Sequence, residues 1–252
     1  MRVAAVQLDS LWQDPIANLE RLDQVWLPAA LGGGAQLVIL PEMFATGFSM
    51  DAAGSEDPDG PIAGWMRQRA ADHTCWIGGS LAVRAGSRSR NRFLLVGPDG
   101  TQHVYDKRHP FTYAGEDREF EPGDDLVTFD LLGVRVTPLV CYDLRFADDF
   151  WRTGPSTDLF VVVANWPAAR REHWRTLLRA RAIENQCYVV GVNRVGTADG
   201  LDYSGDSAVI DPLGRTICEA SEAETVLFGD IDPNQVASTR QRFPFLADRR
   251  AE

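Results

Sequence analysis

Short, largely aliphatic segments alternate with helix-like segments along this chain, and this alternation constrains its fold more than any other feature. Residues 3–8, 36–40 and 159–164 have the composition of buried strands. Apolar residues recur at helical spacing in 15–31. Strands that are apolar on both sides need cover on both faces. The sequence therefore predicts one layered α/β domain spanning residues 1–252.

The remaining predicted elements continue this alternation. Further helices are predicted at 62–73, at 170–185 and from Pro233 onwards. The acidic segment 112–125 is predicted to be a loop over a site rather than a linker. The further predicted strands are 76–84, 92–97, a run ending at Tyr105, 133–140, 188–193, 207–211, 216–219 and 226–231.

Charge and composition exclude several classes of partner and cofactor. A net charge of −11 argues against nucleic acid or an anionic membrane as a partner, since both attract basic surfaces. The N-terminal segment is too polar for a signal peptide, and no apolar run approaches the roughly 18 residues of a membrane span. The four cysteines and four histidines are scattered. We therefore expect no disulfide framework, no metal and a cytoplasmic location. No GxGxxG or GxxxxGK(S/T) motif is present, and we expect no organic cofactor.

Lys107 is the one lysine among 25 basic residues. A lone lysine in an arginine-rich chain suggests a position where the broad, planar guanidinium of arginine cannot substitute for a compact ammonium. A compositional drift towards arginine that left one lysine behind is the alternative. We interpret Lys107 as a side chain that points into a confined pocket.

Three chemically capable residues directly follow predicted strands. Glu42 follows the strand at 36–40, Lys107 closes the strand after Tyr105, and Cys141 follows the strand at 133–140. Catalytic groups of α/β folds gather where strands end and loops converge. A carboxylate, an ammonium and a thiol at such ends form a candidate catalytic constellation.

Cys141 is predicted to lie at a turn from a buried strand into a helix. Backbone N–H groups and the helix dipole at such a turn lower the pKa of a thiol, so we expect a reactive thiolate. An inert core cysteine is the alternative, and it suits the other cysteines. Asp143 and Arg145 are expected to hold the turn, through an ion pair or backbone hydrogen bonds. Physical reasoning alone makes Glu116 a solvated charge in an acidic loop.

The motifs LPEMFATGF, YDKRHPF and LVCYDLRF resemble those of the nitrilase superfamily of carbon–nitrogen hydrolases. They occur in order, each after a predicted strand, and the resemblance extends to GDSAVIDPLGRTI near the C-terminus. Glu42, Lys107 and Cys141 coincide with the family's Glu-Lys-Cys triad. Glu116 coincides with a second glutamate that many members carry. The segments GFSM, KRHPF and the stretch after Cys141 resemble the omega-amidase branch.

The resemblance implies a fold and a reaction. The implied architecture is an α-β-β-α sandwich whose subunits pair, as a homodimer or higher homo-oligomer, with the tail at about 233–252 packed on the core or a partner. The implied reaction hydrolyses the side-chain amide of a small 2-oxo dicarboxylic acid monoamide, such as 2-oxoglutaramate, through a thioester on Cys141. Glu42 would be the base, Lys107 and the Tyr142 N–H would stabilise the oxyanion, and Glu116 would orient Lys107 or a water. The candidate substrate-binding residues are Phe48, Tyr113, Tyr142, Asn165, Trp166 and Arg170, with Arg145 and Arg171 as further candidate cations for the substrate carboxylate.

Other functions fit the same residues. Within the superfamily, a carbamoyl-amine hydrolase or a modified-peptide amidase would use the same triad, and a true nitrilase fits the residues around Cys141 less well. A hydrolase or acyltransferase that pairs Cys141 with His109 or His173 belongs to a different class. A non-catalytic binding protein is the third possibility.

Overall fold

Strands with apolar residues on both sides form the centre of the molecule, as their composition requires. The computed structural model describes residues 1–52 and 56–250, and within these ranges the strands form two mixed sheets. The strands of the first sheet are β1 Arg2–Gln7, β2 Leu37–Ile39, β3 Trp76–Ala85, β4 Arg88–Val96, β5 Gln102–Asp106 and β13 Thr225–Asp230. Those of the second are β6 Phe129–Leu131, β7 Val134–Val140, β8 Leu159–Ala164, β9 Tyr188–Asn193, β10 Val195–Ala198, β11 Leu201–Ile210 and β12 Thr216–Ser221. The first sheet has the order β13-β1-β2-β3-β4-β5, and the second has the order β10-β11-β9-β8-β7-β6 with β12 beside β11.

Alternate residues of β1 show how the layers pack. Val3 and Ala5 face the second sheet and belong to the core between the sheets. Ala4 and Val6 face the opposite way and pack with residues of the N-terminal helices. This two-residue periodicity, with both faces covered, explains why the strand is apolar almost throughout.

Helices cover the outer faces of both sheets. On the first sheet these are α1 Pro15–Arg21, α2 Leu27–Gly32 and α3 Pro61–His73. On the second sheet, Trp174, Leu178 and Ala182 of α6 belong to the same core as the strands. The predicted α-β-β-α sandwich of a single α/β domain is confirmed. The remaining helices are α4 Glu116–Glu119, α5 Ala147–Thr153, α6 Arg171–Asn185 and α7 Pro233–Arg242.

The N-terminal helix departs from the regular helix predicted over 15–31. Residues Leu22–Trp26 form a π-helical turn between α1 and α2, and the N–H of Leu27 bonds to the carbonyl of Leu22. Pro28 follows and has no N–H to donate into that turn. The five-residue spacing places Leu22 and Leu27 on the same buried face. Trp26, which the helical spacing assigned to that face, is only partly buried.

The C-terminal tail packs on its own chain. Arg240 donates to the carbonyl oxygens of Gly154, Thr157 and Asn185. Arg249 donates to the carbonyl of Glu184 and to the side chain of Asn185, so both arginines satisfy groups at the end of α6. A role of 233–250 at a subunit interface stays a prediction, and residues 251–252 lie outside the described residues. None of the described helices is long and apolar enough to cross a membrane.

Candidate active site

The two sheets bring together the predicted catalytic residues from four separate stretches of chain. Glu42 follows β2 and Lys107 follows β5 in the first sheet. Cys141 follows β7 in the second sheet, and Glu116 begins α4. The loop at 112–125 thus contributes a buried carboxylate, which is contrary to the solvated charge expected from its acidic composition.

The ammonium of Lys107 lies between two carboxylates in the protein interior. Its Nζ is 2.9 Å from Oε1 of Glu42 and 2.8 Å from Oε2 of Glu116. All three side chains are at most 1% exposed. Burial lowers the pKa of Lys107, but the Glu116 and Glu42 carboxylates outweigh burial, so this pKa lies above its ordinary value. Lys107 is therefore a permanent cation at neutral pH.

Glu116 accepts hydrogen bonds on both carboxylate oxygens. Oε1 accepts from Lys107 at 3.1 Å and from Asn91 at 3.0 Å. Oε2 accepts from Lys107 at 2.8 Å and from the backbone N–H of Phe111 at 2.5 Å. A carboxylate has about four acceptor positions, and these contacts occupy all of them. The contacts of Glu116 suit a residue that orients Lys107 rather than one that takes up a proton.

Glu42 is tied to both sheets. Its Oε2 accepts from the backbone N–H of Asn165 at 2.8 Å, and its carbonyl oxygen accepts from the Asn165 side chain at 2.6 Å. Asn165 follows β8 of the second sheet, whereas Glu42 follows β2 of the first. The position of the carboxylate therefore depends on how the two sheets stack.

Cys141 lies in a sharp turn between β7 and a short 3₁₀ helix, Cys141–Arg145. Its φ of 48° is in the left-handed region, which non-glycine residues adopt rarely and often at functional sites. Asp143 holds the turn by accepting from the backbone N–H of Val140, the N–H of His109 and the hydroxyl of Tyr105. Burial raises the pKa of Asp143 to about 6, although Lys107 and these hydrogen bonds oppose it.

The thiol of Cys141 differs from the low-pKa thiolate that the turn predicted. Burial and the Glu42 carboxylate raise its pKa well above the usual value, and Lys107 opposes this only in part. The prediction was wrong because a five-residue 3₁₀ helix supplies little dipole, whereas burial and a neighbouring anion both disfavour a thiolate. A thiol in this environment would need a base to become a nucleophile, and the Glu42 carboxylate interacts with it directly.

A cavity of about 430 Å³ opens onto Cys141. Every predicted substrate-binding residue lines it, and Arg145 lines it as well. Arg171 does not, because it pairs with Asp206 at 2.8 Å and Glu222 at 3.0 Å. The predicted residues in the wall are Phe48, Tyr113, Tyr142, Asn165, Trp166 and Arg170.

Arg145 and Arg170 flank Trp166 in the cavity wall. The guanidinium of Arg145 lies 4.8 Å from the centre of the Trp166 ring, and the carbonyl of Arg170 accepts from the indole N–H. Among the described residues, neither arginine forms an ion pair with a carboxylate. The expected Arg145–Asp143 pair is absent from these residues too, because Asp143 bonds to Val140, His109 and Tyr105 instead. Both guanidinium groups are available to an anionic ligand.

Sequence reasoning missed part of the wall. Trp12, Gln13 and Tyr203 line the cavity, and so do Asp199 and Leu201 of the β10–β11 hairpin. Asp199 and Gly200 both have positive φ, as in a tight hairpin turn. The Asp-Gly pair in the sequence was the signal that could have located this hairpin. Residues 12 and 13 carried no comparable signal.

The comparisons with known proteins decide the family. A family model described as carbon-nitrogen hydrolase matches residues 2–241. The chain belongs to this family. It is 42% identical to an omega-amidase of Escherichia coli K12, YafV, over 98% of this chain and 96% of that relative. It is 31% identical to a 2-oxoglutaramate amidase of Bacillus subtilis 168, over 99% and 98% of the two chains.

A solved structure supports the same family. A CN-hydrolase superfamily protein of Xanthomonas campestris, with an arsenic adduct in its active site, is 41% identical to this chain. The TM-score is 0.94, and the match covers 100% of this chain and 98% of that one. The resemblance in the motifs is confirmed, and the protein is a hydrolase of carbon–nitrogen bonds.

Both histidines of the Cys–His alternative are engaged away from the thiol. His109 Nε2 lies 2.8 Å from Asp149, and its ring stacks on Phe146. His173 Nδ1 lies 3.1 Å from Arg145. The thiol of Cys141 lies 4.0 Å from the carbonyl oxygen of Asn165. This geometry favours Glu42 as the base. In the part of the chain that the structure describes, no three His, Cys, Asp or Glu residues cluster as metal ligands.

Replacing Lys107 by methionine should destabilise the protein by about 3–5 kcal/mol at pH 7, because two buried carboxylates lose their cation. The raised pKa of Lys107 keeps its contribution fully present below about pH 10. In the variant, the carboxylates bind protons more readily in the folded than in the unfolded state. The loss in free energy of unfolding, relative to wild type, should therefore shrink as the pH falls from 7 towards 4, as measured by urea unfolding.

A double substitution separates lost charge balance from lost packing. Lys107→Met/Glu116→Gln removes one of the two uncompensated carboxylates and should recover part of the stability at pH 7. Lys107 would act through packing alone if Lys107→Met lowered the free energy of unfolding equally at pH 7 and pH 4 and the double variant recovered none of it.

Proposed function

We propose that this protein is an omega-amidase that hydrolyses the side-chain amide of a small 2-oxo dicarboxylic acid monoamide, such as 2-oxoglutaramate. The similarity of the chain to the omega-amidase of Escherichia coli and the 2-oxoglutaramate amidase of Bacillus subtilis supports this activity. The observation that carries the proposal is one cavity that contains a thiol beside a buried Glu-Lys pair together with two arginines that are free to bind an anion. The thiol suits amide chemistry, and the arginines suit the substrate's carboxylate.

Acylation begins with proton transfer from Cys141 to Glu42. The sulfur attacks the carboxamide carbon, a carbon–sulfur bond forms, and the carbonyl oxygen becomes an oxyanion. Lys107 has three hydrogens, and when the two oxygens of Glu116 share one and Glu42 takes another, one remains for this oxyanion. The backbone N–H of Tyr142 is the second proposed donor. One such donor typically contributes about 3 kcal/mol, roughly a hundredfold in rate.

Collapse of the oxyanion breaks the carbon–nitrogen bond and leaves a thioester. Glu42 returns its proton to the departing nitrogen, which leaves as ammonia. Glu42 then takes a proton from water, and the resulting hydroxide attacks the thioester. Release of the carboxylic acid restores the thiol with the proton that Glu42 held. Glu116 holds Lys107 in place through both steps.

The substrate carboxylate is proposed to bind Arg145 and Arg170. The guanidinium of Arg145 packs on the Trp166 ring, and the Trp166 indole N–H donates to the backbone carbonyl of Arg170. Arg170 also lies 5.5 Å from the centre of the Phe111 ring. Charge-assisted hydrogen bonds to a carboxylate would place the amide end of a small substrate at Cys141. Phe48, Tyr113, Tyr142 and Asn165 would form the remaining wall.

The assembly and location of the enzyme are further proposals. We propose a homodimer or higher homo-oligomer in the cytoplasm that needs no cofactor. The sequence resemblance supports subunit pairing, and the acidic net charge of −11 suits a free cytoplasmic enzyme.

Ammonia release from 2-oxoglutaramate tests the activity. Wild-type protein should release ammonia from this substrate faster than from glutamine, asparagine, a simple aliphatic amide or a carbamoyl amine. Cys141→Ala should reduce the rate by at least about a thousandfold, since the nucleophile is lost. A preference for the carbamoyl amine or the aliphatic amide that still depends on Cys141 would support the role of Cys141. It would refute the proposed specificity for a 2-oxo amide.

Neutralising the arginines tests the pocket. Arg145→Gln and Arg170→Gln should each raise KM for 2-oxoglutaramate about 10- to 100-fold, because a hydrogen bond to a charged group is lost. KM for the aliphatic amide should change little. Arg171→Gln is the matched control, since its partners Asp206 and Glu222 lie outside the cavity. Equal KM changes in all three variants would contradict the assignment.

A further inference from the structure

Asn91 is a buried amide on β4 that touches both carboxylates of the site. Its Nδ2 lies 2.8 Å from Oε1 of Glu42 and 3.0 Å from Oε1 of Glu116. The residue is 1% exposed and, like the two carboxylates, lies outside the set of described residues that line the cavity. It therefore bridges the two acids within the protein interior.

The orientation of this amide is fixed by a chain of hydrogen bonds. The hydroxyl of Ser80 donates to Oδ1 of Asn91 at 2.8 Å, and Ser80 Oγ itself accepts from the N–H of Met43 at 2.9 Å. The carbonyl oxygen of Asn91 accepts from the N–H of Lys107 at 2.9 Å. Because Oδ1 is held by Ser80, the NH₂ group must face the carboxylates. Ser80 and Asn91 thus link the backbone beside Glu42 to the Glu42 side chain.

The two oxygens of Glu42 have different surroundings. Oε1 accepts from Lys107 at 2.9 Å and from Asn91 at 2.8 Å, which occupies both of its acceptor positions. Oε2 accepts from the N–H of Asn165 at 2.8 Å, which occupies one position. Among the contacts of the described residues, the acceptor position left open on this carboxylate is on Oε2. Glu116 offers no alternative, because its four positions are filled.

We propose that Asn91 is a positioning residue that saturates Oε1 of Glu42 and thereby directs proton exchange with Cys141 to Oε2. This inference rests on the proposed function, in which Glu42 exchanges protons with the thiol, the leaving nitrogen and water. The proton moves from Sγ to Oε2 and back to the leaving nitrogen, and Oε1 keeps its two hydrogen bonds throughout. Lys107 alone would leave one acceptor position of Oε1 open.

Removal of the amide should change how readily Glu42 takes up a proton in the resting enzyme. A hydrogen bond to a carboxylate favours the ionised form, so its loss favours protonation. The same amide is one of two donors shared by Oε1 of Glu42 and Oε1 of Glu116, the other being Lys107, and loss of one donor increases the repulsion between the carboxylates. Both effects make Glu42 easier to protonate in the variant. The acidic limb of the kcat/KM profile should therefore move to higher pH.

Asn91→Leu is the test variant, since leucine has a similar shape and no polar atoms. The kcat for 2-oxoglutaramate at pH 7 should fall about 10- to 100-fold, in keeping with the loss of hydrogen bonds to charged groups. KM should stay within about twofold, since Asn91 lies outside the cavity wall. The acidic limb of kcat/KM should shift upwards by about one pH unit.

Other titrating groups near Glu42 remain in the variant. Lys107, Glu116 and Cys141 adjoin it, and Tyr203 of β11 interacts with it electrostatically. Asp143 of the Cys141 turn, whose pKa burial raises to about 6, is also unchanged in the variant. The test is therefore the difference between variant and wild type.

Two further variants separate positioning from general loss of structure. Ser80→Ala removes the hydroxyl that orients Asn91, and it should shift the limb in the same direction by a smaller amount. Asn185→Leu removes another buried amide, whose Nδ2 bonds to the carbonyl of Arg181 at the end of α6. It should reduce stability without moving the limb. If Asn91→Leu fails to fold, Ser80→Ala still decides the question.

Alkylation of Cys141 by iodoacetamide over the same pH range gives a second test that needs no substrate. Its acidic limb should shift upwards in Asn91→Leu and Ser80→Ala, and remain in place in Asn185→Leu. The pH profile can be measured for kcat/KM or for alkylation. The inference would be overturned if, by either method, the profiles of both Asn91→Leu and Ser80→Ala coincided with that of wild type. Absence of Cys141-dependent hydrolysis in wild type, with the alkylation shift intact, would refute the proposed function instead.

Discussion

The ion pair of Lys107 with Glu42 and Glu116 is the interaction on which the rest of the site depends. Charges taken out of water are costly unless they are paired and hydrogen-bonded. Here one ammonium faces two carboxylates, and Asn91 and backbone N–H groups fill the other acceptor positions except one on Oε2 of Glu42. The surplus negative charge is a reason for the thiol of Cys141 to stay protonated in the resting enzyme. In the proposed mechanism, the Glu42 carboxylate takes the proton of this thiol only when substrate is bound.

The sandwich of two sheets supplies this network from both sides. The first sheet contributes Glu42, Asn91 and Lys107, while the second contributes Cys141 and the backbone of Asn165. The hydrogen bond from Asn165 to Oε2 of Glu42 joins the two halves. Since Cys141 and Glu42, the proposed nucleophile and base, belong to different sheets, the packing of the core between the sheets sets their relative position. Stability of the fold and geometry of the site are therefore coupled.

The sequence predicted the layers and brought out the candidate catalytic residues because both carry strong local signals. Aliphatic runs located the strands, and polar residues directly after them marked Glu42, Lys107 and Cys141. The buried state of Glu116 came from family resemblance, since an acidic loop by itself indicates a solvated charge. The predicted low pKa of Cys141 and the role of Arg171 were wrong, because both depend on neighbours that are distant in the sequence. Asn91 was missed for the same reason, and domain limits and subunit pairing stay predictions.

Detection of the acyl-enzyme tests the central claim most directly. The protein would be mixed with 2-oxoglutaramate, quenched in acid during turnover and digested, and the peptides would be weighed by mass spectrometry. The account predicts a peptide containing Cys141 whose mass is increased by the substrate less ammonia, and no such adduct in Cys141→Ala. An adduct on a peptide without Cys141, or turnover by Cys141→Ala at the wild-type rate, would contradict the account.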